Sequence, residues 1–248
     1  MHNGCLMEGN FAFKVFKIKD IVEEQPIQME LFNEHRITKL AKESKLKNII
    51  HLENVYLAPD HIALKLRALE CDLRYYLCFR RQPKQLNAIL VKMIEGIQQL
   101  HKLGYVHRDL KPDNVVLSLD PLDVRVIDFN RVYPLTQSTL GHVRGTPGYF
   151  PTKDMWRDGS TKWDIWAVAA IILECDMDSD SYRSCKDEAD TKRRLKKHLQ
   201  NNNVCKHLKL IMKEVIMIED DTKMMGLETI KDIVKDIKFK SYKSDDQE

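Results

Sequence analysis

Tyr105-Val106-His107-Arg108-Asp109-Leu110-Lys111-Pro112-Asp113-Asn114-Val115-Val116-Leu117 is the stretch on which the reading of this chain turns. It opens and closes on apolar residues suited to short strands, and packs charged and amide side chains between them. One Asp or Asn in a loop is ordinarily a turn former or a cap. Here a carboxylate (Asp109), an ammonium two residues on (Lys111) and an amide (Asn114) share one strand–loop–strand unit. Such a set can orient a proton, neutralise a phosphate and offer oxygen to a hard cation.

The pattern continues on both sides. Ahead of the run, Leu86, Ile89, Leu90, Met93, Ile94, Ile97 and Leu100 recur at helical spacing. Behind it, Val124-Arg125-Val126-Ile127 reads as a strand ending in Asp128-Phe129-Asn130, followed by Gly145-Thr146-Pro147-Gly148-Tyr149 and Trp163-Asp164-Ile165-Trp166. In these residues the chain resembles the protein-kinase family. The first run matches the catalytic loop H-R-D-L-K-P-x-N at every defining position, and Asp128-Phe129-Asn130 is similar to D-F-G. The third run resembles the close of an activation segment, and the fourth the buried helix behind the loop.

The resemblance covers nearly the whole chain and implies an α+β, two-lobed protein-kinase fold in a single domain, 1–248. A small, reduced, β-rich N-lobe would span 1–69, a larger and mostly helical C-lobe 70–240, and a frayed tail 241–248. The implied reaction is Mg-ATP-dependent transfer of the γ-phosphoryl group to serine or threonine of a protein. Its transition state is loose, with charge on non-bridging oxygens, so the protein mainly positions groups and neutralises charge. By resemblance Asp109 is the base and Lys111 attends the transferring phosphate, while Asn114 and Asp128 are ligands of Mg2+. His107 and Phe129 are expected to pack, and Asp164 to tether the loop backbone. The intact Leu110–Asn114 run favours a protein over a small-molecule substrate.

Nearer the start, Phe11-Ala12-Phe13-Lys14-Val15 reads as a strand, and Asn54–Leu69 as two more around Ala58-Pro59-Asp60. Ile27, Leu31, Ile37, Leu40 and Ala41 outline a helix, with a turn at Lys45–Asn48. The resemblance places Lys14 on the α/β-phosphates of ATP and Ala12 against adenine. Glu34 is the expected partner of Lys14, with Glu30 its rival. Leu66 would be the gatekeeper, Arg67 and Leu69 would offer backbone groups to adenine, and Val116 would close the slot from below. Ala68–Asp72 is the expected hinge.

Several positions depart from the family. The chain has no G-x-G-x-x-G before Lys14; Gly4 and Gly9 are expected to flank a short hairpin with strand Cys5–Met7. Asn130 stands for the D-F-G glycine. Phe150-Pro151-Thr152-Lys153 stands for A-P-E, and the late region Asp221–Met225 has no arginine. Both ends of one salt bridge are thus lost together, which leaves neither charge stranded; Asp154 with Lys223 offers a substitute. These departures keep open a pseudokinase, a binding or scaffold module with weak or no turnover. Arg108 implies control by a phosphate on the activation segment, with Thr136, Ser138 and Thr139 as candidates. His142 stands nearest the usual site, and constitutive activity is the alternative.

Composition sets the outer bounds. With 248 residues, 43% hydrophobic and 31% charged, the chain can bury a core and is not a disordered one. A net charge of +3 provides no global field for nucleic acid or anionic membrane. The longest apolar run, Ile165–Leu173, falls far short of the ~20 residues of a membrane span. The opening Met1-His2-Asn3-Gly4-Cys5 lacks signal-peptide features and the six cysteines form no C-x-x-C pair, so a reduced chain in the cytosol or nucleus is expected. Lys192–His198, the one dense basic run, is expected to be a solvated helix face, with an acidic peptide or nucleic acid as the alternative. Further helices are expected at Trp163–Glu174, Lys206–Ile218 and Leu227–Ile237.

Overall fold

The computed structural model describes residues 3–80, 82–136, 145–151, 160–177, 182, 184–200 and 203–239. It opens with β1 (Asn3–Glu8) and β2 (Phe11–Lys17), an antiparallel hairpin turning at Gly9, whose φ of 55° suits glycine. Gly4 does not flank this hairpin as expected; it lies inside β1 opposite Val15, because the strand is longer than Cys5–Met7. A short helix α1 (Ile18–Glu23) leads into α2 (Gln25–Glu43), and β3 (Leu52–Leu57) and β4 (His61–Arg67) complete a four-stranded sheet of order β1-β2-β4-β3. The period-two alternation of β2 turns Ala12, Lys14 and Phe16 toward α2 and the cleft, and Phe11, Phe13 and Val15 to the outer face.

The chain leaves the sheet at Ala68 and makes β5 (Cys71–Asp72) and the turn α3 (Leu73–Tyr75), as the expected hinge requires. Helix α4 (Pro83–Lys102) buries Leu86, Ile89, Leu90, Met93, Ile94, Ile97 and Leu100 completely, the stripe read from the sequence. β6 (Tyr105–Val106) and the hairpin β7 (Val115–Leu119) with β8 (Leu122–Val126) bracket the catalytic-type loop, and β9 (Tyr133–Pro134) pairs with β6. Helix α5 (Lys162–Glu174) is buried from Trp163 to Glu174, which explains its lack of an amphipathic pattern: every side faces protein.

The polar region 176–203 holds a helix, α6 (Glu188–Leu199). Its basic face is laced to carboxylates: Lys192 to Glu188, Arg193 and Arg194 to Asp190, and His198 to Asp176 at 2.9 Å. That is the solvated, self-paired face expected. The helix expected over Lys206–Ile218 is α only as α7 (Lys206–Ile211) and then widens into a π-turn, Met212–Ile216. The last helix, α8 (Leu227–Lys235), ends two residues before Ile237 and packs on α4. The tail 241–248 lies outside the described residues. Among the described residues no helix is long and apolar enough to cross a membrane.

Sheet and helices are joined where α2 ends. Asn48, 4% exposed, donates from Nδ2 to the Val124 carbonyl at 3.0 Å, and its own carbonyl accepts from Val126 N–H at 2.9 Å. Gly96 of α4 lies beneath this crossing; a Cβ there would fall 2.5 Å from the Asn48 carbonyl oxygen.

Candidate active site

A cleft of about 490 Å3 lies between the sheet and the helical part. Its lining includes Ala12 and Lys14 from β2, Glu34 from α2, Leu66 and Arg67 from β4, Leu69 from the hinge, and Asn114, Val116 and Asp128 from below. Nine positions singled out in the sequence are thus brought to one wall-to-wall site. A wider concavity of about 920 Å3 on the outer sheet face, over Phe11, Phe13 and Tyr56, shares only Met7 with it.

Lys14 is the centre of charge. Its Nζ lies 2.9 Å from Glu34 Oε2 and 2.5 Å from Asp128 Oδ1. Burial by itself would lower the Lys14 pKa, but the two carboxylates outweigh it and hold the ammonium charged. Asp128, although burial opposes it, is held below the usual carboxylate range by the Lys14 ammonium. Glu34 is pushed up by burial despite Lys14, and its Oε2 also accepts the Phe129 N–H at 2.8 Å. Helical phase and reach decide between the two glutamates: Glu34 is 1% exposed and on the lysine, so Glu30 is not the partner. The neighbouring Asn33 donates from Nδ2 to the carbonyls of Asn130 and Val132, at 3.2 and 3.3 Å. The positive φ in this turn belongs to Asp128, at 66°, and Asn130 needs no glycine-only conformation.

Across the cleft mouth, Asp109 is 8% exposed. Thr146 donates its hydroxyl to Asp109 Oδ1 at 2.7 Å and accepts from Lys111 Nζ at 3.4 Å. Asp109 Oδ2 faces Arg131 Nε at 3.8 Å. Asn114, which lines the cleft, gives its amide N–H to the Asp109 carbonyl at 2.8 Å, so its Oδ1 takes no part in that bond. With the Asp128 carboxylate this makes an all-oxygen donor set that fits a hard divalent cation such as Mg2+.

The loop itself is held from behind. Asp164, wholly buried at the start of α5, accepts the N–H groups of His107 and Arg108 at 2.8 and 3.0 Å and His101 Nε2 at 2.8 Å. Burial alone would raise its pKa, yet its bonds to His101 and the His107 backbone keep it lowered. His107 and Phe129 pack ring to ring at 5.4 Å, as expected. Arg108 adopts φ 69° and lies over the rings of Tyr133 and Trp163, at 4.7 and 5.5 Å. Ser138, Thr139 and His142 lie outside the described residues.

Several site residues had no legible role in the sequence: Asn33, Arg131, Thr146, and a network around Arg74. The Arg74 guanidinium meets Glu174, the Tyr149 hydroxyl at 2.5 Å and Asp113 at 3.4 Å, while Tyr149 donates to Glu174 at 2.6 Å. Tyr182 adds a bond to the Gly148 carbonyl at 2.7 Å. This buried cluster fastens segment 145–151 to the helical part. Lys223 pairs with Asp220 at 3.1 Å, and Asp154, the other partner expected for it, lies outside the described residues. Asp113, Thr146, Gly148 and Tyr149 stood in recognised runs, but their partners are far away in sequence.

The sequence pattern of the protein kinase domain matches residues 6–240. The chain belongs to the protein kinase family. It is 30% identical over 159 residues to a Drosophila melanogaster protein named putative mitogen-activated protein kinase 14C, covering 60% of this chain and 44% of that one. Over 175 residues it is 25% identical to mitogen-activated protein kinase hog1 of Botryotinia fuckeliana, covering 68% and 49%. Against mitogen-activated protein kinase HOG1 of Exserohilum turcicum the identity is 28% over 175 residues, covering 68% and 52%. This kinase chain therefore spans about half the length of the relatives it matches.

Proposed function

We propose that this kinase transfers the γ-phosphoryl group of ATP, with Mg2+, to serine or threonine hydroxyls of protein substrates. The carrying observation is the shared hydroxyl of Thr146, which holds Asp109 and Lys111 together at one mouth of the cleft. In this reading the chain is one catalytic domain, with lobes 1–69 and 70–240. Asp109 accepts or orients the proton of the attacking hydroxyl, and Lys111 neutralises charge on the transferring group. Lys14, fixed by Glu34, holds the α/β-phosphates. Ala12, Leu66 and Val116 enclose adenine, and Arg67 and Leu69 meet its edge through their backbone. Asn114 and Asp128 would hold Mg2+, whose chemistry is to bridge and neutralise phosphate oxygens. The six cysteines are free thiols, which suits a reducing compartment such as the cytosol or nucleus.

Phe150-Pro151-Thr152-Lys153, standing where the family has A-P-E, favours a second reading. That reading is a pseudokinase that binds nucleotide weakly and serves as a scaffold. The deciding experiment is an autophosphorylation and generic-substrate assay with Mg-ATP on the full chain beside Asp109→Asn. Transfer by the parent and a loss of at least ~10²-fold in the variant are expected, the scale of a positioned acid–base group. Equal activity in both would remove Asp109 from the mechanism. A melting shift with Mg-ATP but no transfer would put the scaffold in the enzyme's place.

A further inference from the structure

Behind the crossing at Asn48 lies a third concavity, about 440 Å3, that shares no lining residue with the nucleotide cleft. Cations from three elements converge on it: Lys42, Lys45 and Lys47 at the end of α2, Lys92 on α4, and Arg125 on β8. Two of them have carboxylate partners, Lys42 with Glu53 at 3.4 Å and Arg125 with Asp123 at 3.1 Å. Lys45, Lys47 and Lys92 have none among the described residues. What sets these three apart is their convergence on one concavity, from the loop after α2 and from α4.

The pocket is built, not a chance meeting of flexible side chains. Lys45 sits at φ 52°, a left-handed turn that ends α2 and directs the Lys45–Lys47 loop across the lobe junction. Asn48 then pins that loop to β8 through Val124 and Val126, and its N–H donates to Gln99 Oε1 of α4 at 3.2 Å. The segments bearing Lys45, Lys47, Lys92 and Arg125 are thus fixed relative to one another. One carboxylate, Asp123, lines the pocket beside five cations, a surplus of like charge that an anionic occupant offsets.

We propose that this concavity is a docking site for an acidic peptide segment, a short run of Asp and Glu side chains. No Phe, Tyr or Trp ring lines it, and its one imidazole, His51, is tied through Nε2 to the Leu46 carbonyl, so it lacks the stacking platform of a single-strand nucleic-acid site. The cations form one spot instead of a track along a phosphate backbone. Leu46 is its one large aliphatic lining residue, too little to seat on a lipid surface. Consecutive carboxylates on one peptide match several ammonium groups gathered from separate elements.

The test uses the full chain without nucleotide, so its outcome does not depend on phosphoryl transfer. A fluorescein-labelled hexaglutamate peptide is titrated by anisotropy at low and high salt, beside hexaglutamine and a single-stranded oligonucleotide. Binding of hexaglutamate alone, weakened by salt, is expected, with at least ~10-fold lower affinity in the Lys45→Gln/Lys47→Gln/Lys92→Gln variant. In the unmodified protein the peptide should also protect Lys45, Lys47 and Lys92 from acetylation, a readout that stands even if the variant is destabilised. Unchanged affinity in the variant, or protection confined to other lysines, overturns the proposal. Tighter binding of the oligonucleotide at the same lysines overturns it in favour of nucleic acid.

Discussion

Thr146 joins the two charged groups of the cleft mouth through one hydroxyl. Its hydroxyl spans 2.7 Å to Asp109 and 3.4 Å to Lys111. Hydrogen bonds to charged groups contribute roughly 1.5–3 kcal/mol, so Thr146→Val should lower kcat about 10- to 100-fold. KM for ATP should stay near the parent value, because Thr146 does not line the nucleotide cleft. Thr146→Ser should restore most of the rate, and steady-state kinetics on the three proteins decide it. A rise in KM for ATP with unchanged kcat would place Thr146 in nucleotide binding instead. The threonine was visible in the sequence, but its role was not, since Lys111 stands thirty-five residues earlier. Asp109, Lys111 and Asn114 were legible because their spacing lies within a single loop.

At the scale of elements, helix α4 shows how two local rules compete. Replacing a mid-helix glycine with alanine ordinarily gains up to ~1 kcal/mol of helix propensity. At Gly96 the new Cβ would meet the Asn48 carbonyl at 2.5 Å and Val126 Cγ2 at 2.8 Å, and both belong to the junction of sheet and helices. Overpacking of that kind costs about 1–3 kcal/mol, and a backbone carbonyl cannot swing aside, so the clash outweighs the gain. Gly96→Ala should therefore lower Tm by about 2–4 °C, the shift for a net loss near 1 kcal/mol in a chain this size. A higher Tm in calorimetry would show that the junction yields easily. The stripe that buries α4 was plain in the sequence. The reason for its glycine was not, because that reason is a loop about fifty residues upstream.

For the whole molecule, the charges buried between elements should govern behaviour in acid. Asp164 links α5, α4 and the catalytic-type loop, and its pKa is lowered in the folded state. A lowered carboxylate stabilises the fold above its unfolded pKa of about 3.9, and that contribution is lost as pH falls through the folded value. Asp128 has the same sign. Glu34 and Glu174, raised by burial, act in the opposite sense, so the informative quantity is the difference between parent and Asp164→Asn. The variant should be less stable at neutral pH, and the gap should narrow below about pH 4. Urea unfolding across that range measures it; a gap that stays constant would mean the carboxylate charge is not what Asp164 contributes.

By itself the sequence determined the β-rich start and helical remainder, the α4 stripe, the apolar run Ile165–Leu173 of α5, the loop chemistry at Asp109–Asn114 and the lysine on β2. Each of these rests on spacing within one segment, where strand and helix periods translate directly into faces. The solvated helix face expected at Lys192–His198 is also what the structure has, with Glu188 and Asp190 one helical turn away as partners. The tertiary structure bore out Glu34 as the partner of Lys14, and it alone decided that Thr146 bridges Asp109 and Lys111 and that Arg74 fastens the segment at Tyr149. It alone gathered Lys45, Lys47, Lys92 and Arg125 into one pocket. These pairings join residues twenty to a hundred positions apart, and Coulomb and hydrogen-bond energies depend on distance in space, which only the packed chain fixes.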